Sequence, residues 1–218
     1  MPEPVTMITV GGGMMGLLTH LARRYFEIAK EVLDILLGIP LFILSLPLLA
    51  ICALMIKLSS KGPVFYTQTR MGKDGKPFKM YKLRTMYCEA EKHTGAVWCG
   101  DKDPRVLPLC RWMRRSHMDE LPQLYNVLKG EMSLVGPRPE RPEILEELEE
   151  VYPDIRKRLA VKPGITGLAQ IRNGYDTTVD AFRHKLASDL EYIANRKWGT
   201  ELRILLATMT KISDKAAK

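Results

Sequence analysis

The stretch from Ile35 to Ile56 reads ILLGIPLFILSLPLLAICALMI, 22 residues without a charge. No other feature limits the fold as much. As one straight helix it would cover roughly 33 Å at about 1.5 Å per residue. That slightly exceeds a bilayer hydrocarbon core of about 30 Å. Pro40 and Pro47 interrupt the segment, and a proline inside a helix costs about 3 kcal/mol and bends it. Arg23, Arg24 and Lys30 precede it, and Lys57, Lys61, Arg70 and Lys73 follow it. Basic residues beside a membrane favour the cytoplasmic side. Both flanks obey that preference only if the segment enters and returns on one face. A helix broken near Pro47 would do so, with its freed backbone groups bonded inside the protein. A plain span and a buried core helix are the other readings that these residues leave open.

The rest of the chain is ordinary for a folded protein. Its 218 residues suit one domain or one and a half, and 46% are hydrophobic. The net charge is +8, which points to an anionic partner such as nucleic acid, anionic lipid or a phosphorylated substrate. Cys52, Cys88, Cys99 and Cys110 form no CxxC pair, so neither a zinc site nor a disulfide scaffold is expected. They read as reduced, in contact with the cytosol. GGGMMG near the start matches G-x-G-x-x-G. It lacks the following strand with a terminal acidic residue that a dinucleotide site needs, so it reads as part of a flexible leader.

Gly62 to Met86 alternates β-formers around the turn signal KDGKP, which predicts a β-hairpin. Lys82 and Arg84, both even positions, should point together from its second strand. Cys88 to Pro104 reads as a surface loop. Val106 to His117 reads as a basic helical stretch. Leu121, Leu124, Tyr125 and Leu128 have helical spacing, with Gly130 as a C-terminal cap. That places Asp119 and Glu120 in the first turn of a helix, where backbone N–H groups favour anions. The run PEILEELEEVYPDIRKRLAVKPG begins acidic and ends basic, as a solvated helix aligned with its own dipole would. Val179, Phe182, Leu186, Leu190 and Ile193 form one apolar stripe, and Leu202, Leu205, Leu206, Met209 and Ile212 another. Core packing is the default reading for both, with the membrane interface as the alternative.

The chemistry concentrates in RRSHMDELPQLYNVLKGEMSLVGPRPE, Arg114 to Glu140. Adjacent carboxylates repel, so Asp119 and Glu120 need a cation to remain ionised together. A hard divalent cation such as Mg²⁺ takes carboxylate oxygens, water and substrate phosphates. Nearby arginines and lysines would clamp a diphosphate, and one carboxylate is free to act as a nucleophile. Without a Walker A loop or a kinase signature, a nucleotide kinase is disfavoured.

Over roughly Arg24 to Ile212 the chain resembles the bacterial sugar transferases, the monotopic phosphoglycosyl transferases. The resemblance rests on DILLGIPLFILSLPLLAICALMIKLSSKGPVFYTQTRMGKDGKPFKMYKLRTM, on RRSHMDELPQLYNVLKGEMSLVGPRPE and on KPGITGLAQ. It implies transfer of a sugar 1-phosphate from a UDP-sugar to a membrane polyprenyl phosphate, with release of UMP and a covalent route that uses Mg²⁺. The product, a polyprenyl diphosphate sugar, starts a glycan. Carried across, Asp119 attacks the sugar-bearing phosphate and Glu120 helps hold Mg²⁺. Lys82, Arg114 and Arg138 hold phosphates. Pro47 matches the family's helix break, where Leu46 stands in the usual serine position and Ser45 lies one residue earlier. Arg172 precedes Asn173 and Gly174, whereas the family's arginine usually follows them; it is carried as a fourth substrate-binding candidate.

The expected fold is α+β and mostly helical, a small, mainly catalytic member attached to one face of the bacterial inner membrane, with its catalytic domain in the cytosol. The expected divisions are a flexible leader over 1–22, a re-entrant helix over 23–61, a catalytic domain with interfacial helices over 62–212, and a tail over 213–218. A membrane-anchored binding protein that has lost catalysis is the alternative, against which the intact Asp119, Glu120 and Arg138 speak. A nucleic-acid-binding module would leave the uncharged segment without a purpose.

Overall fold

Helix α1, Val10–Ser59, is the longest element of the computed structural model, which describes residues 10–88, 90, 103–173 and 179–211. Most of the expected Cys88–Pro104 loop, Gly174, Ile212, the tail and the first nine residues of the expected leader lie outside these. The helix begins inside that leader, and its backbone stays helical through Pro40 and Pro47. The break expected at Pro47 is therefore not a gap in the helix. Ser45 is buried there, and its hydroxyl donates to the Phe42 carbonyl at 2.7 Å.

One stripe of α1 is buried: Lys30, Asp34, Gly38, Ser45, Leu49, Cys52 and Ile56. Steps of three, four and seven keep these on one helical face. The rest of the apolar segment stays exposed, Leu44 at 75% and Leu54 at 61%. By length and composition α1 can cross a membrane. A soluble protein would cover such a face.

A β-hairpin follows, as expected: β1, Phe65–Met71, pairs antiparallel with β2, Pro77–Leu83, in a register that sets Tyr66 opposite Lys82. Asp74 and Gly75 turn the chain with φ of 56° and 73°. The basic stretch after it is shorter than the sequence suggests: a 3₁₀ turn at Pro108–Cys110 and then α2, Arg111–Arg115. Another 3₁₀ turn, Met118–Glu120, precedes α3, Gln123–Leu128. Strands β3, Ser133–Val135, and β4, Gly164–Thr166, form a parallel pair. The remaining helices are α4, Pro142–Val151; α5, Leu168–Asn173; α6, Val179–Ala194; and α7, Trp198–Lys211.

The core links α1 to all of this. Leu49, Cys52 and Ile56 pack with Leu83, Leu107, Cys110 and Met113. A second cluster joins Phe78 and Met80 of β2 to Leu124, Val127, Val135, Tyr192 and Ile204. Phe182 and Leu186 bury as expected, against Leu145, Leu148 and Ile155. The stripe on α7 follows the default reading only at Leu205, which packs against the second cluster: Leu202, Leu206 and Met209 are exposed, and Glu201 and Ile204 face inward. Glu201 turns inward because it meets Lys30 of α1 at 2.8 Å and Tyr192 Oη at 2.7 Å. The acidic-to-basic run also departs from a single helix. It divides at Tyr152 into α4 and a 3₁₀ stretch, Pro153–Ala160, where Arg158 is buried.

Candidate active site

The acidic pair sits on the 3₁₀ turn rather than in the first turn of α3, and both side chains are buried. His117 sets up that turn with φ 56°. This left-handed conformation is unfavourable for a residue with a Cβ. It reverses the chain between α2 and the turn, so that Glu120 N–H bonds the His117 carbonyl at 3.1 Å.

Two segments converge on Glu120. From β2, Lys82 Nζ lies 2.8 Å from Oε1. From the loop after β3, Arg138 places Nη2 at 2.5 Å from Oε1 and Nη1 at 3.0 Å from Oε2. The position of Lys82 depends on Asn126 of α3, whose side-chain amide bonds the open edge of β2: Nδ2 to Lys79 O at 2.8 Å and Oδ1 from Tyr81 N at 3.1 Å. The position of Arg138 depends on glycines. A Cβ on Gly136 would lie 2.5 Å from the Lys162 carbonyl, and one on Gly164 would lie 2.0 Å from Gly136 N. Only bare backbones let Val-Gly-Pro-Arg-Pro and Lys-Pro-Gly-Ile-Thr-Gly approach so closely.

The two carboxylates have opposite surroundings. Burial alone would raise Glu120, but Arg138 and Lys82 hold it well below the ordinary carboxylate range. Asp119 is pushed up to about 6, first by burial and then by the negative charge of Glu120. Among the described residues, no hydrogen-bond or ion-pair partner meets the Asp119 carboxylate. Arg114, from α2, lowers Asp119 through its charge and hydrogen-bonds Thr85 Oγ1 at 3.3 Å. Lys82, Arg114, Asp119, Glu120 and Arg138 are thus brought together.

Two expectations end elsewhere. Arg84 does not join Lys82, because β2 stops at Leu83. Its guanidinium instead holds the carbonyls of Ser60 and Lys61 at 3.0 and 2.8 Å, just past the end of α1. Arg172 is exposed on α5 and forms a two-pronged ion pair with Glu191 of α6, with no contact to Asp119 or Glu120. In turn, the sequence reading missed Asn126 and His117. An asparagine between Leu124 and Val127, on the apolar face of a short helix, is the available signal for the first.

A Mg²⁺ ion fits this donor set in part. No group of three metal-ligating side chains exists among the described residues. Mg²⁺, however, is commonly bound through one or two carboxylates together with substrate phosphates and water. Oε1 of Glu120 faces both Lys82 and Arg138, while Oε2 faces Arg138 alone. Oε2 is therefore the less occupied oxygen of the expected ligand.

The site is a buried carboxylate pair under basic side chains, on a body packed against a helix long and apolar enough to cross a membrane. The model of the bacterial sugar transferase family matches residues 25–215, and the chain belongs to that family. It is similar to a UDP-glucose:undecaprenyl-phosphate glucose-1-phosphate transferase of Caulobacter vibrioides, 40% identical over 88% of this chain and 72% of that one. A Bacillus subtilis protein, provisionally named as an undecaprenyl-phosphate N-acetylgalactosaminyl 1-phosphate transferase, is 48% identical over 65% of this chain and 78% of its own. An Escherichia coli UDP-glucose:undecaprenyl-phosphate glucose-1-phosphate transferase is 40% identical over 85% of this chain and 40% of its own length.

Proposed function

We propose that this chain is a phosphoglycosyl transferase that moves a sugar 1-phosphate from a UDP-sugar to a membrane polyprenyl phosphate, undecaprenyl phosphate in bacteria. UMP leaves, and the product is a polyprenyl diphosphate sugar that starts a glycan. The observation that carries this reading is the split between adjacent carboxylates: Glu120 is locked by Lys82 and Arg138, while Asp119 has no hydrogen-bond or ion-pair partner among the described residues. Environments that push two titratable groups apart assign them different roles.

Asp119 is the nucleophile. Its carboxylate oxygen attacks the sugar-bearing phosphorus. The bond from that phosphorus to the bridging oxygen breaks, and UMP departs with the electron pair. This leaves an acyl phosphate on Asp119. An oxygen of polyprenyl phosphate then attacks the same phosphorus and frees the carboxylate. Lys82, Arg114 and Arg138 stabilise phosphate charge through charge-assisted contacts. Bound Mg²⁺, held through Glu120, supplies charge neutralisation for the diphosphate. Arg172 would reach substrate only by leaving Glu191.

α1 attaches the enzyme to the cytosolic face of the inner membrane without crossing it, and bends at Pro47 to re-enter. Both ends of its apolar stretch touch the same catalytic body: Lys30 meets Glu201 at 2.8 Å, and Cys52 and Ile56 pack with Leu107 and Met113. A helix crossing the bilayer would carry one end away from that body. The exposed Leu202, Leu206 and Met209 of α7 form a second apolar face suited to the interface.

The test is a panel of UDP-sugars offered with undecaprenyl phosphate and scored by UMP release. Turnover of one or more UDP-sugars is expected. UMP release from none of them would remove the reading.

A further inference from the structure

The sequence reading takes PDIRKRLAVKPG as a solvated basic end. Arg158, in its middle, is 4% exposed. Its guanidinium reaches three ways: Nε to Asp189 Oδ2 at 2.7 Å, Nη2 to the Arg138 carbonyl at 2.9 Å, and Nη1 to within 3.7 Å of Glu140 Oε1. Lys185, one helical turn before Asp189 on α6, meets the same Glu140 oxygen at 2.5 Å. Arg158 and Lys185 also lie over the Phe182 ring, 5.3 and 5.0 Å from its centre.

These contacts surround the loop that carries Arg138. The next carbonyl, that of Pro139, accepts from Arg70 Nη1 at 2.9 Å, and the Glu140 carbonyl accepts from Met71 N at 2.9 Å. Three successive carbonyls are thus held by three different donors. Pro137 and Pro139 fix φ on either side of Arg138. Such a segment has almost no freedom left, and the side chain that leaves it is the one gripping Glu120.

We infer that Arg158, anchored by Asp189 and Glu140, is a positioning residue for the transfer reaction: it fixes the backbone of Arg138 so that the Arg138 guanidinium meets Glu120. A buried ion cluster is weak evidence of stability, since apolar residues of similar size often serve as well. Its geometry has a more specific consequence. A planar guanidinium can hold a carboxylate and a carbonyl in fixed directions at once, which a lysine ammonium cannot reproduce. Arg158 touches no substrate and acts through Arg138 alone. The inference rests on the role proposed above for Arg138.

The experiment is a double-mutant cycle in the full-length, membrane-embedded protein, with Arg158→Lys made in the wild-type and the Arg138→Ala backgrounds. Arg158→Lys keeps the buried charge and removes the fork. In the wild type it should lower kcat/KM for UMP release by about 10- to 100-fold, the scale of a displaced catalytic group. In the Arg138→Ala background it should change kcat/KM less than about twofold, because the group it positions is gone. The same loss in both backgrounds would mean a general structural role and overturn the inference. Should Arg158→Lys fail to fold, Asp189→Asn enters the same cycle with the same expectation.

Hydrogen exchange reads the contact without catalysis. The segment 134–141 should exchange faster in Arg158→Lys, while the interior of α6 stays as in the wild type. Unchanged exchange in 134–141 would overturn the inference even in a chain that released no UMP, an outcome that would separately defeat the proposed function.

Discussion

Arg138 grips Glu120 with both terminal nitrogens, Nη1 at 3.0 Å from Oε2 and Nη2 at 2.5 Å from Oε1. Without Arg138, Lys82 alone would oppose a buried carboxylate. Arg138→Ala should therefore lower kcat/KM by about 2–4 kcal/mol in transition-state terms. Arg138→Lys should recover little, since it cannot make the paired contact. Steady-state UMP release measures both. Wild-type rates in Arg138→Ala would show that the grip has no catalytic use.

Glu140 sets an acid limit on stability. Burial would raise it, but Lys185, Arg158 and Arg70 bring it to about 2, against 4.5 in an exposed chain. A carboxyl lowered on folding stabilises the protein above its unfolded value, and that contribution fades as pH falls toward the folded one. Here the window runs from about 4.5 to about 2, and the contribution above it is about 3 kcal/mol. Asp189 is raised by burial, and so acts in the opposite sense. Comparing wild type with Glu140→Gln by denaturant unfolding isolates the Glu140 contribution. The stability gap should be widest near neutrality and should close as pH drops through that window. A gap that stays constant with pH would contradict the assignment.

Both flanks of the apolar segment should face the cytosol. Arg24 and Lys61 are exposed. In a background with the four cysteines replaced, single cysteines at these two positions should react with a membrane-impermeant thiol reagent only from the cytosolic side. Labelling from opposite sides would establish a crossing helix.

Removal of divalent cations should stop turnover, and added Mg²⁺ should restore it. Two adjacent carboxylates facing a diphosphate need positive charge beyond that of Lys82 and Arg138. Full turnover in excess chelator would exclude the ion from the reaction.

What the sequence reveals about this fold follows from how local each signal is. The uncharged run of α1, the hairpin turn at Asp74–Gly75 and the acidic pair are contiguous, so they can be read directly. Strands β3 and β4 have three residues each, too few to show a period. The pairing of Arg158 with Asp189 spans 31 residues, and no spacing within either segment announces it. Strand alternation groups Arg84 with Lys82, and it fails because β2 ends one residue earlier. On α7, polar Glu201 turns inward to meet Lys30, 171 residues away in sequence, so Leu202, Leu206 and Met209 of the apolar stripe face out. Lys82, Asp119, Glu120 and Arg138 were identifiable by residue type and motif, but the split between the two carboxylates emerges only from the tertiary contacts.

A bond from Asp119 to phosphorus is open to one direct measurement. The enzyme is given UDP-sugar without any polyprenyl phosphate, UMP is counted, and the intact protein is weighed. About one UMP per active site and a mass gain of one sugar phosphate on Asp119 are expected, both absent in Asp119→Asn. If UMP appears only when the lipid is present and no adduct forms, transfer is direct, and Asp119 is a base or a metal ligand instead.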